Sequence, residues 1–373
     1  MNDSKFMGVV MLTKIWIDVL TPKQLLFLTK ISKKLEEHGF EVFLTSREYQ
    51  EVCELIKLKG LNIPIIGRHG GYRLKDKLLA STERILFLIR HIEKIEPDIA
   101  LSFSSPEAAR VAYGLNIPHV CVNDSPHSEA VARLTIPLSK LLFTPKIIPK
   151  KVWEKYGIPK QAIIQYRALD PVTWIKDFQP NPEILKNLKL NLKQPIVAIR
   201  PTEAYAAYLR GKISNICPVT IKIAQKLLKL LENKVQIVII PRYKEQRKVL
   251  KEKLAENVVI PEHAIDTASL LYYSSLFIGA GGTMNIEAAL LGKPVISCFP
   301  GKTTLVERYL VNAKLIYRVK DPEKTVKLAL NILQNAEKFL SSHKERALKI
   351  LNHMEDPAEV IAKELKKRLN KLL

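Results

Sequence analysis

Two periods of apolar residues alternate along the chain. Short runs carrying β-branched residues, KIWIDVL, EVFLT, DIALS, HVCVN, KLLFT and AIIQY, are separated by stretches such as Leu25, Leu28, Ile31 and Leu35, where apolar positions recur three or four apart. The first kind reads as strands buried on both faces and the second as helices with one core-facing stripe. Strand and helix in regular succession predict a parallel sheet covered on both sides, with six or so strands. The rhythm breaks over 168–194, where LDPVTWIKDFQPNPEILKNLKLNLKQP crowds Pro, Asn and Asp together. It restarts with PIVAIR, a helix through Ile221, Ala224, Leu227 and Leu228, then VQIVII, NVVI, SLFIGA, the helix NIEAALLG and PVISC. From Asp321 to Leu373 the pattern is almost wholly helical. The expected organisation is an α/β half over 1–170, a linker or hinge over 171–194, a second α/β half over 195–350 and a C-terminal helix over 351–373.

Two doubly wound halves joined by a hinge imply a central cleft, and ligands of open parallel sheets bind beyond the carboxyl ends of the strands. Length agrees, since 373 residues at about 150 per domain allow two. With 47% hydrophobic and 26% charged residues the chain is not disordered. Its 59 Lys and Arg against 37 Asp and Glu leave a net charge of +22, which favours an anionic membrane or polyanionic neighbour. The competing source of that charge is the Lys/Glu-rich helix of heat-adapted proteins. Nucleic acid is disfavoured as a partner, because aromatic residues make up only 7% and no recognisable nucleic-acid module occurs. The four cysteines, Cys53, Cys121, Cys217 and Cys298, have no metal-ligand spacing and suit a reducing cytoplasm. Lys14 and Asp18 interrupt the N-terminal apolar patch well short of the ~20 residues of a membrane span, so neither a span nor a signal peptide is expected. The first convincing element begins near Lys14, which leaves Met7 and Met11 as further candidate starts.

The most informative segment is SSLFIGAGGTMNIEAALLGKPVISCFPG, residues 274–301. A strand runs into Gly279, Gly281 and Gly282, and Thr283 is placed to cap a helix whose backbone N–H groups and dipole would face a phosphate or diphosphate. Glu287, one turn on, offers two oxygens to the hydroxyls of a ribose, or else complements the helix dipole. The segment is not a dinucleotide fingerprint, since Met284 stands where a small residue is needed, and the first βαβ unit has no glycine loop. Gly301-Lys302-Thr303 lacks the first glycine of a P-loop, and His127-Ser128-Glu129 lacks the PCxxC of a zinc deaminase.

GAGGTMNIEAALLGKPVIS resembles the donor-nucleotide motif of GT-B glycosyltransferases and of the related UDP-N-acetylglucosamine 2-epimerases. Together with KIWIDVLTP, GRHGG, PEAARVAYGLNIP, NDSPHSEAVARLTIPL, IRPTEAY and IPRYKEQR, it makes residues 14–330 similar to a family of predicted glycosyltransferases, common in archaea and labelled a domain of unknown function. The resemblance implies a GT-B-like fold, glycines at the diphosphate and Glu287 at the ribose. The chain departs from the epimerases where their GTRPE loop and T-x-H-R stretch become LTPKQ and IRPTEAY, and where the carboxylate that the resemblance implies after the third or fourth strand is missing from its place in LSFSSPEA.

In NDSPHSEAVAR, Ser125 as N-cap and Pro126 at the first helical position would set His127 in a first turn, where the dipole keeps its ring neutral. That suits a general base for transfer to an acceptor hydroxyl, with Asp124 to orient it and Glu129 beside it. The ordinary reading also stands: a turn, with Glu129 and Arg133 as an i,i+4 pair. Arg200 and Arg242 end strands of the second half and match phosphate oxygens, and Glu203 follows as a candidate for a sugar hydroxyl. Arg68, His69, Gly70 and Gly71 form a small, cationic loop suited to acceptor entry or to a plain turn, and Lys23 follows the first strand.

The reading is a GT-B-like glycosyltransferase that uses a nucleotide-sugar donor as substrate, needs no cofactor and, lacking a D-x-D motif, no metal. Its acceptor is expected to be anionic or lipid-linked. The first half's KISKKLEEHG, LLASTERILFLIRHIEK and TPKIIPKKVWEKYG mix cations with apolar residues and could rest on an acidic leaflet, which places the enzyme in the cytoplasm with peripheral membrane contact. The alternatives are an epimerase-like isomerase acting without an acceptor, and a non-enzymatic nucleotide- or nucleic-acid-binding protein.

Overall fold

A computed structural model describes residues 12–203, 217–232, 234–254 and 258–373. Met7, Met11 and the end of the IRPTEAY stretch from residue 204 lie outside them. The first half runs β1 (Lys14–Val19), α1 (Pro22–Glu37), β2 (Glu41–Glu48), α2 (Gln50–Leu58), β3 (Ile65–Arg68), α3 (Leu74–Ile95) and β4 (Ile99–Ser102). It continues with α4 (Pro106–Gly114), β5 (His119–Val122), α5 (Glu129–Thr135), β6 (Leu141–Pro145), α6 (Lys151–Glu154) and β7 (Ile163–Tyr166). Two short helices, α7 (Val172–Ile175) and α8 (Glu183–Asn187), lead across to β8 (Ile196–Arg200), α9 (Pro218–Leu230), β9 (Gln236–Ile239), α10 (Lys244–Lys253) and β10 (Val258–Val259). The second half then adds α11 (Thr267–Tyr273), β11 (Leu276–Gly279), α12 (Thr283–Leu290), β12 (Val295–Ser297), α13 (Leu305–Asn312) and β13 (Ile316–Arg318). The chain ends in α14 (Pro322–Gln334), α15 (Ala336–Leu351) and α16 (Pro357–Leu372).

The strands form a seven-stranded sheet in the order β3-β2-β1-β4-β5-β6-β7 and a six-stranded sheet in the order β10-β9-β8-β11-β12-β13. Every pairing among the described residues is parallel. The alternation predicted this two-sheet, doubly wound architecture facing a cleft. It missed β3 and β13, which are short edge strands with too few apolar positions to show a period.

Helix starts follow local chemistry. Thr21-Pro22, Ser105-Pro106, Asp321-Pro322 and Asp356-Pro357 each pair a capping oxygen with a proline that has no N–H to leave unsatisfied. The 168–194 segment is no open tether, since Val172, Trp174, Ile175 and Ile184 are buried in it. At the far end α16 returns to the first half and packs along α1, where Glu359 meets His38 Nε2 at 3.2 Å and Lys366 Nζ donates to the His38 carbonyl. This return runs beside the first crossing: Glu355 N–H donates to the Arg167 carbonyl, and Arg167 N–H to the Glu355 carboxylate.

One charged pair fastens the first sheet to its helices. Asp18 at the end of β1 takes two guanidinium bonds from Arg84 of α3, at 2.6 and 3.0 Å, and accepts from Thr45 of β2 and Ser105 at the start of α4. Gly67 lets the Arg84 stem pass, since a Cβ there would stand 2.7 Å from Arg84 Cγ. Both side chains are fully buried. Burial alone would raise the Asp18 pKa, but Arg84 and the hydroxyl bonds outweigh it and hold it lowered. Removing one partner of such a pair leaves a buried charge and typically costs about 3–5 kcal/mol. Asp18→Ala should therefore lose roughly that much stability in urea unfolding, and Asp18→Ala with Arg84→Met should recover part of it. A loss under ~1 kcal/mol for Asp18→Ala would show that the pair is not a fastening.

Candidate functional site

The carboxyl ends of both sheets open on a cleft of about 1130 Å³. On its second-half wall, β8 ends in Arg200, whose Nη1 donates to the carbonyls of Ile240 and Pro241 and whose Nη2 bonds Glu51 of α2 across the cleft. Arg242, after β9, is fixed by an Nε bond to the Pro201 carbonyl at 3.0 Å, and its Nη1 lies 3.5 Å from Glu203. Burial and the neighbouring Arg200 both lower the Arg242 pKa, so an anion at that spot would relieve its charge.

Beside Arg242 stands the glycine turn after β11. Gly281 and Gly282 have φ of +88° and +96°, and a Cβ on Gly281 would stand 2.8 Å from the Phe299 ring. Only glycine adopts the Gly282 conformation without strain. Gly282 is itself the N-cap of α12, and Thr283 is the first helical residue, so the expected threonine cap gives way to glycine. Two residues on, Asn285 is buried against Gly279 and lines the cleft, and neither Nδ2 nor Oδ1 has a hydrogen-bond partner among the described residues.

Glu287 is also buried on this wall. Its Oε1 accepts from Trp174 Nε1 of α7 at 2.8 Å, and burial pushes its pKa up to about 7 despite that bond. A carboxylate has about four acceptor positions, so the indole leaves room for further donors.

The first-half wall gathers charges from three separate loops. Lys23 Nζ in the first turn of α1 lies 2.5 Å from Asp124 Oδ2, after β5, and 2.7 Å from Asp170 Oδ2, after β7. Ser125 Oγ donates to Asp124 and Tyr166 Oη to Asp170. Lys23 also sits 4.3 Å over the Phe103 ring. Burial would lower the lysine's pKa, but the two carboxylates outweigh it and raise it. The two acids are pushed apart: the Asp124 pKa falls because Lys23 outweighs burial, while that of Asp170 rises because burial dominates. With its pKa raised to about 6, Asp170 can take up and return a proton not far below neutral pH while Asp124 beside it stays ionised.

His127 stands at the mouth of the cleft in a turn, Ser128 N–H to Ser125 carbonyl, and α5 begins only at Glu129 with Ser128 as N-cap. This corrects the expected cap at Ser125 and a first-turn histidine. The ring's lowered pKa comes from desolvation, which outweighs the attraction of Asp124.

Lys23, Asp124, His127, Arg200, Glu203, Arg242, Gly281, Gly282, Thr283 and Glu287 thus share one cleft. Glu129 does not line it, pointing into solvent to pair with Arg133 as an i,i+4 contact would. The Arg68 to Gly71 loop lies outside the lining as well. Arg68 pairs with Glu83, and His69 packs on Tyr49 with its pKa lowered to about 4 by burial. Gly70 lies against the Lys77 backbone, and Gly71 donates to the His69 ring. Among the described residues the loop approaches the cleft through Tyr49. Sequence reading missed Asp170, Trp174, Asn285 and Glu51. A lone tryptophan in a polar linker was the one signal among them, while the other three are common residue types whose neighbours are distant in sequence.

Among the described residues no cluster of His, Cys, Asp and Glu could hold a metal ion, and no helix is long and apolar enough to cross a membrane. Over residues 13–370 the chain matches a family model described as a protein of unknown function, DUF354. It is 33% identical over 312 residues to Uncharacterized protein MJ0665 of Methanocaldococcus jannaschii, covering 82% of this chain and 88% of that one. The UDP-GlcNAc 2-epimerase of Neisseria meningitidis, solved with UDP-GlcNAc, is similar with a TM-score of 0.72 at 18% identity, covering 96% of this chain and all of that one. The UDP-GlcNAc 2-epimerase of M. jannaschii, solved with UDP-GlcNAc and UDP, gives 0.71 at 17% identity, covering 95% and 100%. At such identity the likeness is one of fold, which is GT-B-like.

The Glu287 pKa carries a signed prediction. An acid raised from 4.5 to about 7 holds its proton more tightly when folded, so its ionisation costs stability as pH climbs through that window and the cost is full above it. Glu287→Gln should raise the melting temperature at pH 8 and leave it nearly unchanged at pH 4, below the pKa of both the folded and the unfolded glutamate. The gain at pH 8 is bounded at about 3 kcal/mol. Equal shifts at both pH values would show that Glu287 is not buried as an acid.

Proposed function

The chain belongs to the DUF354 family, and from the site its fold assembles we propose that it is an enzyme of nucleotide-sugar chemistry. One observation carries this reading: a diphosphate-suited wall of Arg242, Gly281, Gly282 and the start of α12 faces, across one cleft, the proton-handling cluster of Lys23, Asp124 and His127. The diphosphate lies against the arginines and the helix dipole, and Glu287 accepts from the ribose hydroxyls. The bond broken is that between the anomeric carbon and the diphosphate oxygen. Its electron pair leaves with the oxygen, whose charge Arg200, Arg242 and the first-turn N–H groups stabilise.

Isomerisation at the carbon beside the anomeric centre is the reading supported best, because the whole chain follows the fold of proteins named as 2-epimerases. A proton leaves that carbon as the bond to the diphosphate breaks, its electron pair forming a double bond between the two carbons; the proton then adds to the other face while the diphosphate oxygen re-forms its bond to the anomeric carbon. The usual loops are changed at LTPKQ, IRPTEAY and LSFSSPEA, so the acid–base groups come instead from the loop after β5, Asp124 and His127, with Asp170 behind Lys23. A specific observation favours transfer as the second reading: the cleft runs on past Lys23 between Leu26, Lys30 and Lys33 of α1 and Leu55, Leu58 and Lys59 beside α2. This is room for a second substrate, apolar and cationic enough for an anionic or lipid-linked acceptor, with neutral His127 as its base. The proposed setting is the cytoplasm, within reach of an anionic membrane.

Incubation with UDP-N-acetylglucosamine alone in deuterium oxide separates the two. Deuterium at C2 with a second epimer supports isomerisation, whereas an unchanged sugar whose nucleotide is released only when an acceptor is added supports transfer. No calorimetric binding of UDP or of the sugar nucleotide overturns both. In either reaction His127→Ala should lower kcat about 100-fold or more while donor affinity stays within about twofold, because its task exists only in the proton-transfer step. Loss of affinity in step with kcat would remove it from that task.

A further inference from the structure

Three stretches of the first half join cations to apolar residues, and the structure treats them differently. The apolar side chains of α1, Leu25, Phe27, Leu28, Ile31 and Leu35, are buried under the sheet. So are Ile148, Trp153 and Tyr156 in the third stretch. Only α3 keeps large apolar side chains on the outside.

This helix has 22 residues, a length of about 33 Å. Its inner face, Ala80, Arg84, Leu88 and Ile92, is buried, with Leu88 and Ile92 packed among Trp16, Ala100, Val111 and Ala112. Its outer face carries Leu78 at 69% exposure, Leu79 at 49%, Leu86 at 56% and Phe87 at 50%, and Tyr72 and Leu74 extend the patch at its start. Leu79 and Leu86 are two helical turns apart and lie on one line, with Leu78 and Phe87 roughly a quarter turn to either side, so the four make a broad stripe over the outer face. Six of the seventeen exposed large hydrophobics among the described residues fall between residues 72 and 87. Single exposed leucines need no explanation, but a stripe of them does.

We propose that this face of α3 is a docking surface for an anionic lipid leaflet. Lys75, Arg90 and Lys94 are exposed on the same helix and make no ion pair among the described residues. Glu83 faces the same way but is paired with Arg68, Asp76 is paired with Arg73, and Glu93 sits between Arg90 and Lys94 near the helix end. Outside the buried Arg84, residues 68–94 hold six Lys and Arg against three acids. Apolar side chains among cations can enter the boundary of an acidic leaflet while the charges meet its headgroups. A second copy of the chain is the poorer occupant, because a two-fold contact would set Lys75, Arg90 and Lys94 of one protomer against those of the other, with +22 on each chain. The stripe begins just after the loop whose His69 packs on Tyr49, a residue of the cleft wall, so a leaflet on α3 lies close to that wall. The surface deepens the proposed setting without depending on the reaction, since vesicle binding is read with no substrate present.

The test is co-sedimentation of the full chain with vesicles of phosphatidylcholine plus phosphatidylglycerol, against phosphatidylcholine alone, at low and high salt. Binding is expected only with the anionic lipid and is weakened by salt. Leu86→Ser with Phe87→Ser, which changes no charge, should weaken it about tenfold, as should Lys75→Gln with Arg90→Gln and Lys94→Gln. Leu348→Ser, an exposed leucine on α15, should leave it unchanged. Circular dichroism on each variant confirms that the exposed substitutions leave the fold intact. Absence of binding to anionic vesicles at low salt overturns the proposal, as does full binding by the Leu86/Phe87 variant. A wild-type dimer in light scattering that this variant dissociates overturns it too and assigns the stripe to a contact between copies.

Discussion

Parallel hydrogen bonding is the constraint from which the rest of this structure follows. Parallel strands cannot be joined by a tight hairpin, so each needs a crossover, and each crossover sends the next strand out in the same direction. All carboxyl ends of a sheet therefore arrive at one edge. The loops after β1, β5 and β7 deliver Lys23, Asp124 and Asp170 to one spot although 101 and 147 positions separate the lysine from the acids. The loops after β8, β9 and β11 do the same for Arg200, Arg242 and the glycine turn.

The edge where these loops meet is also where local rules are broken. A lysine between two acids, an arginine whose charge burial opposes, a glutamate raised toward neutrality and an asparagine amide with no partner among the described residues all lie within or just behind one cleft. The Asp18–Arg84 pair is the instructive contrast, because it is equally buried yet every acceptor of Asp18 is met by a neighbour from a different element. Saturated charge holds a fold together, and unsaturated charge is what a ligand can complete.

Much of this was legible in the sequence, for definite reasons. Strands buried on both faces leave continuous apolar runs, and helix-spaced stretches stand between them, so the two sheets could be laid out in advance, whereas Pro after Ser misled at Ser125. Edge strands leave no such trace: Ile65–Arg68 is short, half-exposed and interrupted by a glycine. The glycine turn and Glu287 were visible because they follow a strand directly. Glu129 misled, since three residues of helix separate a side chain facing a cleft from one facing solvent, and only the true start of α5 decides which. Asp170 and Asn285 could not be seen at all, because what distinguishes them is the burial and company that tertiary structure supplies.

The chain passes between its halves twice, through 168–194 and again between α15 and α16, and the two passages touch where Arg167 and Glu355 exchange backbone and carboxylate bonds. A single tether would act as a swivel, leaving the halves free to twist about it as well as to bend. Two straps lashed side by side are a stiffer join than one, because a twist about either must shear the contact that the other makes with it.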